Sequence, residues 1–181
     1  IVMFVVSYSR SSVVKHELDG ATFKSRVTRS AEARGMLMAI GDRAYYLQLQ
    51  GCIFFGTAYS LLEQVRSRVR QTPTRFVVLD FQQVIGLDST GLLSFNKIRQ
   101  LARDHGFTLI LAGLPPALRE QFDRGGLVEE PGVLSFTADF DRAVEWCEDQ
   151  ICGAEAAPGD RHLVDYLQAI VPGEATARLL H

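Results

Sequence analysis

The sequence predicts an α/β sandwich built on a mixed, partly parallel β-sheet. Three observations predict it. From residue 44 onward, strand-like and helix-like segments alternate strictly, four of each, and such alternation implies helices packed on a largely parallel sheet. Arg75–Phe81 and Phe107–Ala112 are nearly continuous apolar runs, as strands covered on both faces are. About 110 residues lie between Gly41 and Cys152, enough for one hydrophobic core. The expectation is about four to five strands with about four to five helices, joined by right-handed crossovers.

The elements come in this order. Tyr45–Gln50 is aromatic, alternates at its end and meets Gly51, which reads as a strand. From Thr57 to Arg70, Ala58, Leu61, Leu62, Val65 and Val69 fall on one helical stripe, with Thr57 as N-cap and Pro73 as terminator. The Arg75–Phe81 strand is expected to end at Asp80 and Phe81, and the chain to turn through Gly86. Asp88-Ser89-Thr90-Gly91 then opens a helix with Leu92, Phe95, Ile98 and Ala102 inside, stopping at His105-Gly106. Phe107–Ala112 is a strand, and Pro115–Arg124 a short helix with Gly125-Gly126 behind it. Val133–Phe136 is the last strand. Phe140, Ala143, Val144, Cys147 and Ile151 mark Asp139–Cys152 as the last helix.

The flanks differ from this core. Ile1–Val6 is an apolar run far short of the ~20 residues that span a bilayer. Two readings stay open: the last turns of a membrane helix, or the first strand of a soluble domain. Residues 1–43 carry seven basic against four acidic residues, the bias expected on the cytoplasmic side of a membrane helix. They read as the end of a membrane helix and a juxtamembrane linker or first strand, ahead of a domain over 44–152. Residues 153–181 read as a linker and a helix: 153–160 is Ala-, Gly- and Pro-rich, and Leu163, Val164, Leu167, Ile170 and Val171 form a stripe broken by Pro172-Gly173. That stripe can hardly form a core alone, so it should dock on a neighbour or lead into a further domain.

Composition excludes several functions. With 181 residues, 47% apolar and 22% charged, the chain is no disordered protein, and its net charge of −2 is wrong for a general nucleic-acid binder. Three cysteines without a C-x-x-C give neither a disulfide framework nor a zinc site. No Walker loop, nucleophile elbow, zincin or dinucleotide motif is present, and the four histidines are scattered. No catalytic residue, metal or cofactor is expected.

The informative stretch is Leu79–Leu92. Asp88 reads as an N-cap whose carboxylate accepts from the amide of Thr90 or Gly91, and Gly91 permits close backbone packing. Ser89 would then sit exposed in the first turn at the end of a strand, where α/β folds place their sites. A phosphate there would meet the positive end of the helix dipole and be repelled by Asp88.

The block Gly41–Cys152, with its order of elements and with Asp88-Ser89-Thr90-Gly91-Leu92 after a strand, resembles a STAS domain, the module shared by sulfate transporters and anti-sigma-factor antagonists. The resemblance makes Ser89, with Thr90 beside it, the candidate phosphorylation or switch position, and Asp80, Asp88 and Gly91 the loop and N-cap residues. Tyr8-Ser9-Arg10, Val13-Val14-Lys15, Leu18–Ala21, Ser25–Ser30, Leu49–Ala58 and Phe76–Phe81 resemble the bacterial SulP-family permeases in particular. The tail after Asp160 resembles the lead-in to a cyclic-nucleotide-binding domain. The resemblance implies a cytoplasmic regulatory and assembly domain of a SulP-type transporter of sulfate, bicarbonate or a related anion. Its partners would be the transmembrane domain of the same polypeptide, a second protomer of a homodimer, and a cytosolic regulatory protein or nucleotide. The rival reading is an antagonist-type phosphoswitch with Ser89 as phosphoacceptor. A nucleotide-binding module would need phosphate at the Ser89 helix terminus.

Overall fold

The computed structural model describes residues 13–153. The apolar run Ile1–Val6 and the stripe Leu163–Val171 lie outside the described residues. The elements run β1 (Val14–Asp19), α1 (Ala31–Ile40), a single 3-10 turn (Gly41–Arg43), β2 (Ala44–Ile53), α2 (Phe55–Gln71), β3 (Phe76–Leu87), α3 (Ser89–His105), β4 (Thr108–Ala112), α4 (Pro116–Arg124), β5 (Leu134–Thr137) and α5 (140–153).

The five strands lie in sequence order. β1 pairs antiparallel with β2, and β2 to β5 are parallel, so the sheet is mixed. Alternate strand residues serve two cores. Leu47, Val77, Leu79, Phe81 and Leu109 join Leu61, Leu62 and Val65 of α2, Phe95 and Ile98 of α3, and Phe122 of α4. Tyr46, Phe76, Val78 and Ile110 join Leu37 of α1 and Phe140, Ala143, Val144, Cys147 and Ile151 of α5. Helices α2, α3 and α4 therefore cover one face, and α1 and α5 the other. The central runs of β3 and β4 are covered on both faces, which is why they read as continuous apolar segments.

Several boundaries correct the sequence reading. β3 does not end at Phe81; it continues through Gln82–Leu87, with Gly86 paired to Cys52 of β2 instead of forming a turn. Two register shifts, opposite Gln48/Gln50 and Gly51/Cys52, let this extension follow β2 after β4 has stopped at Ala112. Gln82, Gln83 and Ile85 are exposed there, so the polar residues that read as a loop belong to a strand with few neighbours. Thr57 is not the N-cap of α2. Phe54 holds that position, and Thr57, three residues on, accepts from the Phe54 N–H at 3.0 Å and donates to its carbonyl at 3.1 Å. The sequence reading also passes over α1, which is capped by Ser30 accepting from Ala33 N–H and buries fully only Leu37.

Candidate functional site

Asp88, Ser89, Thr90 and Gly91 stand together at the head of α3. The Asp88 carboxylate accepts from the Gly91 amide and, at 2.8 Å, from the Thr90 hydroxyl. It is the N-cap, as the sequence reading requires, and one of the two neighbouring hydroxyls is thereby committed. Ser89 is exposed, and its hydroxyl is not drawn into this cap.

The head of α3 is held from several sides. The Asp88 N–H donates to the Ile53 carbonyl at the end of β2 (3.0 Å), and Gln121 of α4 donates to the Leu87 carbonyl (2.9 Å). A Cβ on Gly91 would lie 2.9 Å from Leu87 Cδ1 and 3.4 Å from the Ile53 carbonyl oxygen. Glycine here is a matter of close approach between α3 and the β2 end. The site is thus a fixed platform that leaves the Ser89 hydroxyl open to solvent at the positive end of a 17-residue helix.

Exposed apolar side chains lie at the same end of the sheet: Phe55 and Tyr59 in the first turns of α2, with stacked rings 6.4 Å apart, Ile85 near the end of β3, and Leu93 in the second turn of α3. The two helices pack side by side. The sequence reading does not select these residues. Their signal was present, since Phe55 and Tyr59 are spaced i, i+4 off the buried stripe of α2.

Asp80 is not part of this platform. It is a strand residue on the opposite face, in register with Gln48 and following Phe76 and Val78, whereas α3 covers the other side. Its residue is 5% exposed; one oxygen accepts from Gln82 N–H at 3.0 Å and the other from Gln48 Nε2 at 3.4 Å. Burial pushes its carboxyl above the usual carboxylate range, hydrogen bonds from Gln82 and Gln48 oppose this, and Asp139 adds to the rise. It lines an open cleft of about 650 Å³ with Phe23, Lys24, Arg26, Asp139 and Phe140. The Lys24 ammonium is already taken up by the Gly20 and Leu37 carbonyls.

Among the described residues no group of three or more His, Cys, Asp or Glu side chains could hold a metal ion, and no helix is long and apolar enough to cross a membrane.

Fold and site together define an α/β module that presents the capped head of a helix to solvent. A model of the STAS domain matches residues 36–143, and the chain belongs to that family. It is 25% identical over 158 residues, 81% of its length, to the vacuolar basic amino acid transporter VSB1 of Saccharomyces cerevisiae, of whose length it spans only 15%. A sulfate transporter family protein from Wolinella succinogenes has a similar fold, with a TM-score of 0.52 at 21% identity over 61% of this chain and 88% of that one. So does the murine solute carrier 26 member A9 anion transporter in its inward-facing state, at 0.55 and 10% identity over 82% of this chain and 24% of that one.

Proposed function

We propose that this chain is the regulatory and assembly domain of a SulP-type membrane transporter, placed on the cytoplasmic side of the plasma membrane and acting by protein contact. One observation carries the reading. The Val13 carbonyl accepts from Gln50 N–H at 2.8 Å near the carboxyl end of β2. The chain ahead of β1 therefore reaches the sheet at the end where Ser89, Phe55, Tyr59 and Leu93 are exposed. An upstream membrane body would lie on the side of that surface. The similarity to a yeast transporter over four-fifths of the chain supports a transporter as the parent polypeptide.

In this reading the head of α3 and its apolar flank contact the transmembrane domain of the same polypeptide or of a second protomer, with a cytosolic regulator or nucleotide as further partners. The cargo implied by the SulP resemblance is sulfate, bicarbonate or a related anion. The test uses the full-length parent protein in proteoliposomes, with uptake of labelled sulfate, bicarbonate and arginine compared for wild type, Ser89→Asp and Leu93→Asp. The expected result is a folded protein with altered uptake of one cargo. Wild-type uptake in both variants, or a parent polypeptide without a membrane body, overturns the proposal.

The exposure of Ser89 favours one second reading, an antagonist-type switch in which a kinase phosphorylates that hydroxyl. The phosphate would gain from the α3 dipole and be repelled by the neighbouring Asp88 carboxylate, a balance that would favour a change of partner over a tighter fold. Release of a bound protein partner on phosphorylation, absent in Ser89→Ala, would distinguish it.

A further inference from the structure

We propose that the segment beyond α5 folds back and seats its apolar stripe in a second cleft, centred on Trp146. This cleft, of about 430 Å³, opens at the amino ends of β3, β4 and β5, and its walls include Arg75, Phe76, Pro131, Leu134, Trp146 and Gln150. Trp146 packs edge-on against Phe76 with ring centroids 5.4 Å apart, yet it stays 40% exposed. A half-open tryptophan at a concave surface is the kind of group that interfaces bury.

The position of the chain names the occupant. Helix α5 comes after β5, so it runs from the carboxyl ends of the strands back toward their amino ends and finishes on the side of the cleft. Trp146, Gln150 and Gly153 are spaced by four and three residues and share one stripe of α5, so the chain leaves the helix along the cleft wall. Nine residues, 154–162, separate it from Leu163, a reach of up to ~30 Å, and Pro158-Gly159 within them is a turn-forming pair. Leu163, Val164, Leu167, Ile170 and Val171 keep to the i, i+1, i+4, i+7, i+8 pattern of a single helical face.

Charge agrees with this occupant. Arg75 lies over the Phe76 ring at 5.3 Å and forms no ion pair with a carboxylate among the described residues. Glu130, also on the cleft, is engaged by Arg103. The segment carries three carboxylates, Glu155, Asp160 and Asp165, that could serve Arg75 as counter-charges if it seats there.

The chain contains one tryptophan, so its fluorescence reports this cleft alone. In the full chain, Leu167→Asp with Ile170→Asp should shift Trp146 emission to the red and raise acrylamide quenching about twofold, at any protein concentration, because quenching follows the ring area left uncovered. Far-UV circular dichroism of the same sample checks the fold, and a chain ended at Gly153 should give the same red-shifted emission. Unchanged emission and quenching in both variants overturns the proposal. So does a wild-type protein whose Trp146 becomes exposed on dilution as a dimer dissociates, since the occupant is then a second copy.

Discussion

The guanidinium of Arg29 and the carboxylate of Glu148, 119 residues apart in the chain, meet at 2.7 Å with the Glu148 side chain only 1% exposed. Ser25 completes the carboxylate's shell, donating its N–H at 2.8 Å and its hydroxyl at 2.6 Å. Arg29 also reaches Asp149 at 2.7 Å and the Glu145 carbonyl at 3.2 Å. The segment between β1 and α1 is thereby clasped to α5. Removing one partner strands a buried charge, so Arg29→Ala should cost about 3 kcal/mol in urea denaturation. Glu148→Gln, which keeps an acceptor for Ser25 and leaves the cation on the better-solvated side, should cost less. Equal stability of wild type and Arg29→Ala would mean that the clasp does not hold the fold.

Gly20 and Gly41 touch through their backbones. A Cβ on Gly41 would lie 2.3 Å from the Gly20 carbonyl oxygen and 2.7 Å from Ala21 N, neither of which can swing aside. Gly41→Ala should therefore destabilise by about 2 kcal/mol or more through overpacking. Gly35, exposed on α1 with open space around it, gives the opposite sign: Gly35→Ala should gain up to about 1 kcal/mol from helix propensity. Thermal unfolding of the two single variants reads both.

At the head of α3, neighbouring residues should respond differently. Asp88→Ala removes the carboxylate that holds the Gly91 amide and the Thr90 hydroxyl, at about 1 kcal/mol. Ser89→Ala and Ser89→Asp alter an exposed side chain and should stay within about 0.5 kcal/mol of wild type. Chemical denaturation checks all three. A loss of several kcal/mol in Ser89→Asp would make the residue structural and remove it as a switch.

Asp80 gives stability a pH dependence of known sign. Burial first, and then Asp139, raise its carboxyl above its unfolded value, so the folded chain holds that proton more tightly than the unfolded chain does. Between the ordinary carboxylate value and the raised one, this group's contribution to stability falls as pH rises. Asp80→Asn keeps an oxygen for the Gln82 amide and cannot ionise. The variant should gain on wild type as pH rises through that window, and the gain should shrink toward lower pH. Parallel denaturation curves at every pH would contradict the burial of a charged Asp80.

The order and type of the core elements, and the caps of α3, were legible in the sequence because the forces behind them are local. Asp88 and Gly106, which ends the helix at φ 71°, act within one turn of their own position, and an apolar stripe records its own burial. Helix α1 escaped notice because burial of Leu37 alone leaves no stripe to read. The length of β3 was hidden too, since it depends on where β4 stops and on two register shifts against β2. Asp80 and Ser89, nine residues apart, belong to opposite layers, and strand alternation followed by a helical crossover decides that. The Arg29–Glu148 clasp had no sequence signature, because a contact across 119 residues exists only once the sheet has brought α5 beside the segment that precedes α1. Local periodicity determined which elements form; long-range packing decided which side chains face one another.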